Sequence, residues 1–129
     1  MGYFKMKAYG KELIINLHEC DPETMNRDII TKYFKSLCKK IKVEPCDLHF
    51  WDDVGVPKAE RQTDPRLVGT SAIQFILTSN ITIHTLPLMK RVYLNIFSCD
   101  EFNEETILQH AVLWFKSKDV VQMKVMDRI

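Results

Sequence analysis

Three consecutive predicted strands, separated only by short gaps, place the strongest limit on what this chain can fold into. Residues 71–77 form a nearly continuous apolar run, whereas residues 81–86 and 92–97 alternate between the two faces of a strand. Such alternation is typical of strands with one buried face. Because a parallel connection needs a crossover of a dozen or more residues, gaps this short favour antiparallel hairpins.

The remaining apolar patterns add three strands and two helices. Strands are predicted at residues 13–18, 47–51 and 120–126. One helix is predicted over about residues 26–40, and a second begins after Asn103, which is a suitable N-cap. Each helix has a single apolar stripe, so both should lie on one face of the sheet. The predicted fold class is α+β, a two-layer sandwich with the order β-α-β-β-β-β-α-β.

Composition indicates a soluble globular protein with one domain over residues 1–129. Hydrophobic residues make up 46% of the chain and charged residues 27%. The formal net charge of +1 gives no reason to expect nucleic acid as a partner. No apolar run approaches the roughly 20 residues of a membrane span, and the N-terminus lacks a signal-peptide pattern. We therefore expect a cytoplasmic protein without a membrane partner.

The four cysteines indicate neither a metal site nor a disulfide framework. Cys20, Cys38, Cys46 and Cys99 form no C-x-x-C pair, and their spacing is unlike that of a zinc site. Reduced thiols are expected in a cytosolic chain. Cys20, Cys38 and Cys46 are predicted to be buried small hydrophobic residues. Cys99 ends a predicted strand beside Asp100 and is a candidate functional thiol.

Ser79, His84 and Cys99 form a sparse set of residues that can carry chemistry. Ser79 lies between two predicted strands, His84 follows five residues later and Cys99 twenty residues later. Taken singly, they also fit a turn serine, a structural histidine and a buried thiol. If the fold brings them together, they provide a nucleophile, a base or acid, and a proton donor. The chain has no G-x-S-x-G elbow, so a serine hydrolase is not indicated.

A serine at a junction between strands can also act on its own chain. Its hydroxyl can attack the preceding carbonyl carbon, here that of Thr78, and convert the amide into an ester. Elimination then cuts the chain and leaves a pyruvoyl group at the new N-terminus. That ketone acts as an electron sink for the decarboxylation of an amine substrate. Such a site needs a strained junction, an oxyanion partner, a base and a proton donor.

The residues around Ser79 resemble those of a known family. The chain reads Thr-Ser-Asn-Ile-Thr-Ile-His-Thr-Leu-Pro-Leu over residues 78–88 and Phe-Ser-Cys over residues 97–99. Tyr9-Gly10, the Glu-Cys-Asp of residues 19–21 and the Gly-Thr-Ser of residues 69–71 are similar too. In these features the chain resembles the prokaryotic S-adenosylmethionine decarboxylases. Their corresponding segment reads Glu-Ser-His-x-x-Ile-His-Thr-Trp-Pro-Glu, followed by a strand that ends in Phe-Thr-Cys or Phe-Ser-Cys. The resemblance spans about residues 9–127, apart from residues 52–68, which look like a loop insertion.

The resemblance implies a role for each polar residue of these segments. Cleavage between Thr78 and Ser79 would turn Ser79 into the pyruvoyl cofactor, and Ser71 and His84 would assist that cleavage. Cys99 would protonate the substrate carbon after carbon dioxide leaves. The protein implied is a homodimer with sites near its interface. It would be a carboxy-lyase of polyamine biosynthesis that acts on a small amino-acid-type substrate.

Four residues depart from the family pattern. Thr78 and Leu88 stand in place of glutamates, Asn80 in place of histidine and Leu86 in place of an aromatic residue. The glutamate replaced by Leu88 is expected to bind the ribose hydroxyls. A site built to bond a hydroxyl loses affinity when its acceptor becomes apolar, so adenosyl recognition is weakened.

Three interpretations of function therefore stay open. In the first, the substrate is S-adenosylmethionine, and Phe50 or Trp51 stacks on its adenine, although packing in the core explains either residue equally well. The same cofactor in a changed pocket can instead serve a smaller amino acid such as arginine or ornithine. The third interpretation is an uncleaved, non-catalytic relative that binds a ligand or a partner subunit.

Overall fold

The computed structural model describes residues 7–129, which form six strands and two helices. The strands are β1 (Gly10–His18), β2 (Pro45–Trp51), β3 (Thr70–Ile76), β4 (Ser79–Leu86), β5 (Arg91–Ser98) and β6 (Asp119–Arg128). The helices are α1 (Arg27–Ile41) and α2 (Glu104–Phe115). The strands form one antiparallel sheet in the order β2-β3-β4-β5-β1-β6. The predicted α+β class and element order are confirmed.

The connection between β3 and β4 is shorter than the sequence pattern predicts. Pairing between these strands continues until Ser79 lies opposite Ile76, so the loop consists of Leu77 and Thr78 alone. Ser79 is consequently the first residue of β4 and belongs to the sheet.

Both helices begin at an asparagine cap. The side-chain oxygen of Asn26 accepts a hydrogen bond from the amide of Ile29 at 2.9 Å, and Asn103 does the same for Thr106 at 3.0 Å. Each bond satisfies an amide that has no partner within the helix. The Asn103 cap was predicted, and the Asn26 cap explains why α1 begins at Arg27.

The hydrophobic core lies between the sheet and the two helices. Alternate residues of the central strands point into this layer, as the period of two requires. Burial of one such aliphatic side chain contributes roughly 1.5–3 kcal/mol. The fully buried side chains that meet here include Leu13, Ile15, Leu17, Leu94, Ile96, Tyr33, Phe34 and Phe115.

The opposite side of the sheet, which carries Ile73, Phe75, His84 and Tyr93, is here called the open face. Neither helix packs on it, and Ile73 and Phe75 are 40% and 43% exposed. An antiparallel sheet tolerates one solvated face, but that face is then usually polar. Ile73 and Phe75 therefore leave apolar area of the open face in contact with water.

The long segment between β2 and β3 is tied to α1 by an ion pair. The Arg27 guanidinium donates two hydrogen bonds to the Asp52 carboxylate, at 2.8 and 2.6 Å, and the Thr70 hydroxyl donates a third at 3.3 Å. Hydrogen bonding from Arg27 is the main reason why the pKa of Asp52 lies below its usual value. This contact fixes the chain directly after β2 and directly before Ser71.

The cysteine prediction is wrong in one respect. Cys20 and Cys38 are buried as expected, but Cys46 is exposed because it lies on the edge strand β2. Within residues 7–129, no three histidine, cysteine or acidic side chains are grouped to hold a metal ion. No helix of this region is long and apolar enough to cross a membrane.

Candidate active site

The two-residue loop between β3 and β4 holds Thr78 in a left-handed conformation. Its φ angle is 66°, in a region that a β-branched residue rarely adopts and that costs roughly 1–2 kcal/mol. The Thr78 hydroxyl donates a hydrogen bond to the carbonyl of Leu77 at 2.6 Å, and the Leu77 amide donates to the carbonyl of Glu44 at 3.0 Å. These bonds hold the strained residue directly before Ser79.

The hydroxyl of Ser79 lies against the peptide group that precedes it. Oγ donates a hydrogen bond to the carbonyl oxygen of Thr78 at 2.7 Å and accepts one from the backbone amide of Cys99 at 3.3 Å. Ser79 is only 8% exposed, so bulk water competes little for these bonds. The hydroxyl is therefore held beside the carbonyl carbon of Thr78.

Cys99 follows β5 and meets the loop from the neighbouring strand. Its Sγ lies 3.3 Å from the hydroxyl oxygen of Thr78. Hydrogen bonding to Thr78 and then to Tyr9 lowers the pKa of the Cys99 thiol, while desolvation and the charge of Asp100 oppose that shift. A thiol with a lowered pKa is a better proton donor and forms thiolate more readily.

Gly10 lets β1 approach the end of β5 closely. A Cβ atom at position 10 would lie 2.3 Å from the carbonyl oxygen of Ser98 and 2.9 Å from the Cα of Cys99. Only glycine fits this contact without displacing the neighbouring backbone. Tyr9 and Gly10 therefore lie beside the segment that carries Cys99.

Ser71 and His84 form a second group at the other end of β4. They are directly opposite each other across β3 and β4, and the Ser71 hydroxyl lies 2.6 Å from Nδ1 of His84. His84 stacks on Tyr93 at a ring-centroid distance of 6.5 Å. Five residues along a strand span about 16 Å, and an odd spacing places His84 and Ser79 on opposite faces. His84 is exposed on the open face, whereas Ser79 is turned toward the core.

The two candidate stacking residues point in opposite directions. Trp51 lies opposite Ser71 in the β2–β3 register and is 83% exposed. Phe50 packs against the core, with the Arg27 guanidinium 5.5 Å from its ring centroid. Of the two, Trp51 presents a free ring beside the Ser71–His84 pair.

A surface cavity of about 380 Å³ opens beside Cys99. Lys11, the basic residue that β1 contributes to the cavity lining, already donates hydrogen bonds to the Phe102 carbonyl at 2.6 Å and to the Glu104 carboxylate at 2.9 Å. Carboxylates near a cavity favour a cationic ligand group. The acidic residues of its lining are Asp100, Glu101 and Asp127.

The four candidate residues thus form two pairs within one chain. Ser79 and Cys99 meet at the β3–β4 loop, and Ser71 and His84 meet about 16 Å away along β4. Residue patterns gave no chemical role to the Thr78 hydroxyl, which contacts Cys99, or to Tyr9, which lines the same cavity as Cys99. The odd spacing of Ser79 and His84 was the available signal that they lie on different faces.

Comparison with known proteins identifies the family. Residues 11–129 match the family described as S-adenosylmethionine decarboxylase. An S-adenosylmethionine decarboxylase proenzyme of Caldicellulosiruptor saccharolyticus is 29% identical over 97 residues, which cover 74% of this chain and 68% of that protein. The proenzyme of Caldicellulosiruptor bescii is similar to the same degree, with 29% identity over 97 residues.

The fold agrees with a solved structure of the same description. The adenosylmethionine decarboxylase from Aquifex aeolicus VF5 superposes with a TM-score of 0.75 and covers 95% of this chain and 92% of its own. At 15% sequence identity, this likeness concerns the fold alone. Because the family match spans almost the whole described chain, the protein belongs to the S-adenosylmethionine decarboxylase family.

Proposed function

We propose that this protein is a self-processing, pyruvoyl-dependent decarboxylase of an amino-acid-type substrate. The observation that carries the proposal is the position of the Ser79 hydroxyl, 2.7 Å from the carbonyl oxygen of a strained Thr78. An ordinary turn serine needs neither the strain nor this contact. Together they support attack on the Thr78–Ser79 peptide bond.

The cleavage proposed here uses only groups of the chain and water. Oγ of Ser79 adds to the carbonyl carbon of Thr78 as its proton passes to a base. The C–N bond then breaks, the nitrogen takes up a proton, and an ester joins the two residues. Loss of the Ser79 α-proton expels the Thr78 carboxylate. The dehydroalanine that remains takes up water and releases ammonia to give a ketone at residue 79.

The surroundings of residue 79 fit a pyruvoyl group. The Cys99 amide that now donates to Ser79 Oγ provides a hydrogen-bond donor at this position, and the site is largely shielded from water. When formed, the group would supply an electron sink for loss of carbon dioxide from the substrate. Cys99, with its thiol beside Thr78 and its lowered pKa, is the proton donor that we propose for the substrate carbon.

We further propose that a second copy of the chain completes the site. Ser71 and His84 lie about 16 Å from Ser79 along β4, too far to assist cleavage within one chain. In this pairing a two-fold axis would lie between the two open faces and cross β4 at the level of Ile81 and Thr82, midway between Ser79 and His84. His84 of the second copy would then lie at the same level along β4 as Ser79 of the first. Sheets that pack face to face lie about 10 Å apart, so His84 of the second copy would approach the backbone of the Thr78–Ser79 junction, since the Ser79 side chain itself is directed toward the core.

The open face supports this pairing. Its apolar side chains Ile73 and Phe75 are 40% and 43% exposed, and burial against a second sheet would remove them from water. A symmetric interface of this kind uses the same surface on both subunits. The proposed protein is therefore a homodimer with two composite sites.

Trp51 is the proposed stacking residue for an adenine. Its ring is 83% exposed on the strand that borders Ser71. Leu88, which replaces an acidic residue of the family pattern, is 61% exposed and provides no hydrogen-bond acceptor for ribose in its side chain. A substrate without ribose, such as arginine or ornithine, is the variant of the proposal that this replacement favours.

The first experiment is the intact mass of freshly purified protein under denaturing conditions. The proposal predicts two fragments, one ending at Thr78 and one beginning at residue 79, with a ketone that reacts with a hydrazide. A Ser79→Ala variant should give one full-length mass. A wild-type chain that stays full-length after long incubation would remove the self-processing proposal.

The substrate is tested on the processed protein by release of carbon dioxide. S-adenosylmethionine, arginine and ornithine are compared at equal concentration. Turnover of S-adenosylmethionine alone would assign the activity of the family name to this chain. If none of the three compounds releases carbon dioxide, all three versions of the substrate are contradicted.

The second candidate function is an uncleaved relative that binds a ligand or a partner subunit. One observation favours it: among residues 7–129 of its own chain, no basic side chain lies within hydrogen-bond distance of Ser79. The two functions differ in their response to a processed paralogue. A non-catalytic subunit would stay full-length and would raise the activity of that paralogue when the two are mixed.

A further inference from the structure

The segment between β2 and β3, residues 52–69, forms a cavity with the turn that follows β4. The cavity has a volume of about 410 Å³, and its lining includes Asp52, Asp53, Gly55, Arg61, Thr70 and Pro87. Gly69 holds the end of the segment against β4, because a Cβ atom there would collide with the carbonyl oxygen of Thr85. The cavity therefore lies at the end of the sheet that carries Ser71 and His84.

Asp53 provides a free acceptor in this cavity. Its Oδ2 accepts a hydrogen bond from the Gln62 amide at 2.8 Å, and this is the one hydrogen bond that its carboxylate accepts among residues 7–129. A carboxylate has about four acceptor sites, so most of its capacity is unused. The Asp52 carboxylate is occupied by its own donors, which are Arg27, Thr70 and the amide of Val54.

The charges around the cavity are balanced, which favours an uncharged ligand group. The charge of Asp52 is offset by Arg27 at 2.6 Å, and Arg61 brings a positive charge to the lining that carries Asp53. Nε of Arg61 donates to the carbonyl of Val56 at 2.7 Å, so the guanidinium is held in this position. Arg61 would repel a cation and Asp53 would repel an anion, whereas hydroxyl groups can donate to Asp53.

An exposed aromatic ring lies next to this acceptor along the chain. Trp51 is 83% exposed, and Asp53 follows it by two residues, so their Cα atoms are no more than about 7 Å apart. Aromatic rings bind bases by stacking, and a carboxylate can accept hydrogen bonds from both hydroxyls of a ribose. Together the two side chains fit a nucleoside.

We propose that Asp53 binds the 2′ and 3′ hydroxyls of a nucleoside-bearing substrate in this cavity. This inference rests on the proposed function, because it names the substrate class of that site. Leu88, which follows the cavity residue Pro87, has no acceptor in its side chain, so selection for ribose depends on Asp53. The segment between β2 and β3 thereby makes the chain select a substrate with ribose over a plain amino acid.

The test is the Kd for adenosine, measured by calorimetry on Ser79→Ala protein, in which every chain is uncleaved. Adenosine is compared with 2′,3′-dideoxyadenosine, which keeps the base and lacks the two hydroxyls. In Asp53→Asn the amide oxygen can still accept from Gln62, but the charge is lost. Binding of adenosine should weaken about tenfold, whereas the dideoxy compound, already weaker by a similar factor, should bind no more weakly than before.

Asp64→Asn is the matched control for this measurement. In the described part of the chain, the Asp64 carboxylate accepts a single backbone hydrogen bond, from Arg66 at 2.9 Å, and does not line the cavity. This variant should bind both compounds as the parent does. The proposal is overturned by equal losses for both compounds in Asp53→Asn, by an equal loss in Asp64→Asn, or by a parent that does not bind adenosine at millimolar concentration.

Kinetics on the processed protein separate this inference from the proposed function. Asp53→Asn should raise KM for S-adenosylmethionine about tenfold and leave kcat unchanged. A wild-type chain that never cleaves but binds adenosine through Asp53 would remove the proposed function and keep the nucleoside site. A chain that cleaves and releases carbon dioxide, with the same KM in Asp53→Asn, would remove the nucleoside site alone.

Discussion

The hydroxyl of Ser79 donates a hydrogen bond to the carbonyl oxygen of Thr78, and Thr78 itself has the left-handed backbone of a residue under strain. Cleavage of the bond between them would remove the constraint that holds Thr78 in this conformation. Under the proposed self-processing, this strain would favour reaction at the Thr78–Ser79 bond over the other peptide bonds of the loop.

Replacement of Thr78 by glycine should slow cleavage while it stabilises the uncleaved chain. Glycine adopts a φ of 66° without steric cost, so the strain disappears. Glycine also makes the unfolded chain more flexible, which offsets part of this stabilisation. We therefore expect a net gain of about 0.5–1 kcal/mol in unfolding free energy. Cleavage, followed by intact mass over time, should slow about fivefold. Thr78→Ser, which keeps the hydroxyl and the strain, is the control; equal rates for both variants would contradict a role for strain.

A mixture of two inactive variants should recover activity. Ser79→Ala retains His84 and His84→Ala retains Ser79, so a mixed dimer contains one complete site if sites are composite. Co-expression with separate affinity tags and selection of the mixed dimer should yield close to half of the wild-type activity per dimer. If the mixed dimer is as inactive as either parent, Ser79 and His84 do not act across subunits.

Trp51 and Phe50 are neighbours whose replacement by alanine should affect different properties, substrate binding for Trp51 and stability for Phe50. Trp51→Ala should leave the unfolding free energy unchanged within about 0.5 kcal/mol, because the ring is 83% exposed. It should raise KM for S-adenosylmethionine about tenfold and leave KM for arginine unchanged. Phe50→Ala should lower stability by roughly 2 kcal/mol or more, because its ring packs against the core. Urea unfolding and initial rates test both variants; an unchanged KM in Trp51→Ala removes the stacking role.

Loss of the Asp52 carboxylate should destabilise the protein in a pH-dependent way. Asp52 accepts hydrogen bonds from Arg27, and its side chain is 4% exposed. We expect Asp52→Asn to lower the unfolding free energy by about 2 kcal/mol at pH 7. The folded pKa of Asp52 is lowered, so its contribution is fully present above the unfolded pKa near 3.8 and is lost as pH falls through the folded pKa.

The difference between wild type and Asp52→Asn should therefore shrink in acid. Urea unfolding at pH 7 and at successively lower pH measures it. Asp53→Asn serves as a matched control, since the Asp53 carboxylate accepts a single backbone hydrogen bond, from Gln62, and contacts no cation in the part of the chain described here. An acid-independent difference would mean that the ion pair is not its source.

Alanine at position 10 should damage the region around Cys99. Its Cβ would meet the Ser98 carbonyl at 2.3 Å, so β1 or β5 must move. The expected loss is roughly 2–3 kcal/mol in unfolding free energy, together with slower cleavage. Gly55→Ala is a useful comparison, because a Cβ there meets nothing within 4 Å and only the positive φ of 85° is unfavourable. Equal losses for both variants would argue against the steric contact.

The fold could be predicted because its main signals are local. Alternation over residues 92–97 predicts β5, and the cap at Asn103 predicts the start of α2; each signal acts within a few residues. Cys46 was misjudged because its exposure depends on strand order, which places β2 at an edge of the sheet. Strand order is set by long-range packing and leaves no pattern around a single cysteine.

The candidate site could be predicted only in part for the same reason. Contact between Ser79 and Cys99 depends on the register of β4 and β5, which places Asn80 opposite Phe97. That register is set by the turn and by packing of the whole sheet. The position of Tyr9 and Gly10 beside Cys99 needs β1 to lie beside β5, a pairing between distant parts of the chain.

The five-residue spacing from Ser79 to His84 also has a genetic consequence under the proposed pairing of chains. An allele that lacks Ser79 and an allele that lacks His84 would complement each other in one cell, since one whole site is formed in each mixed pair. An allele with both lesions would disable both sites of every pair that it joins. It would therefore be dominant over the wild-type allele, although each single lesion is recessive.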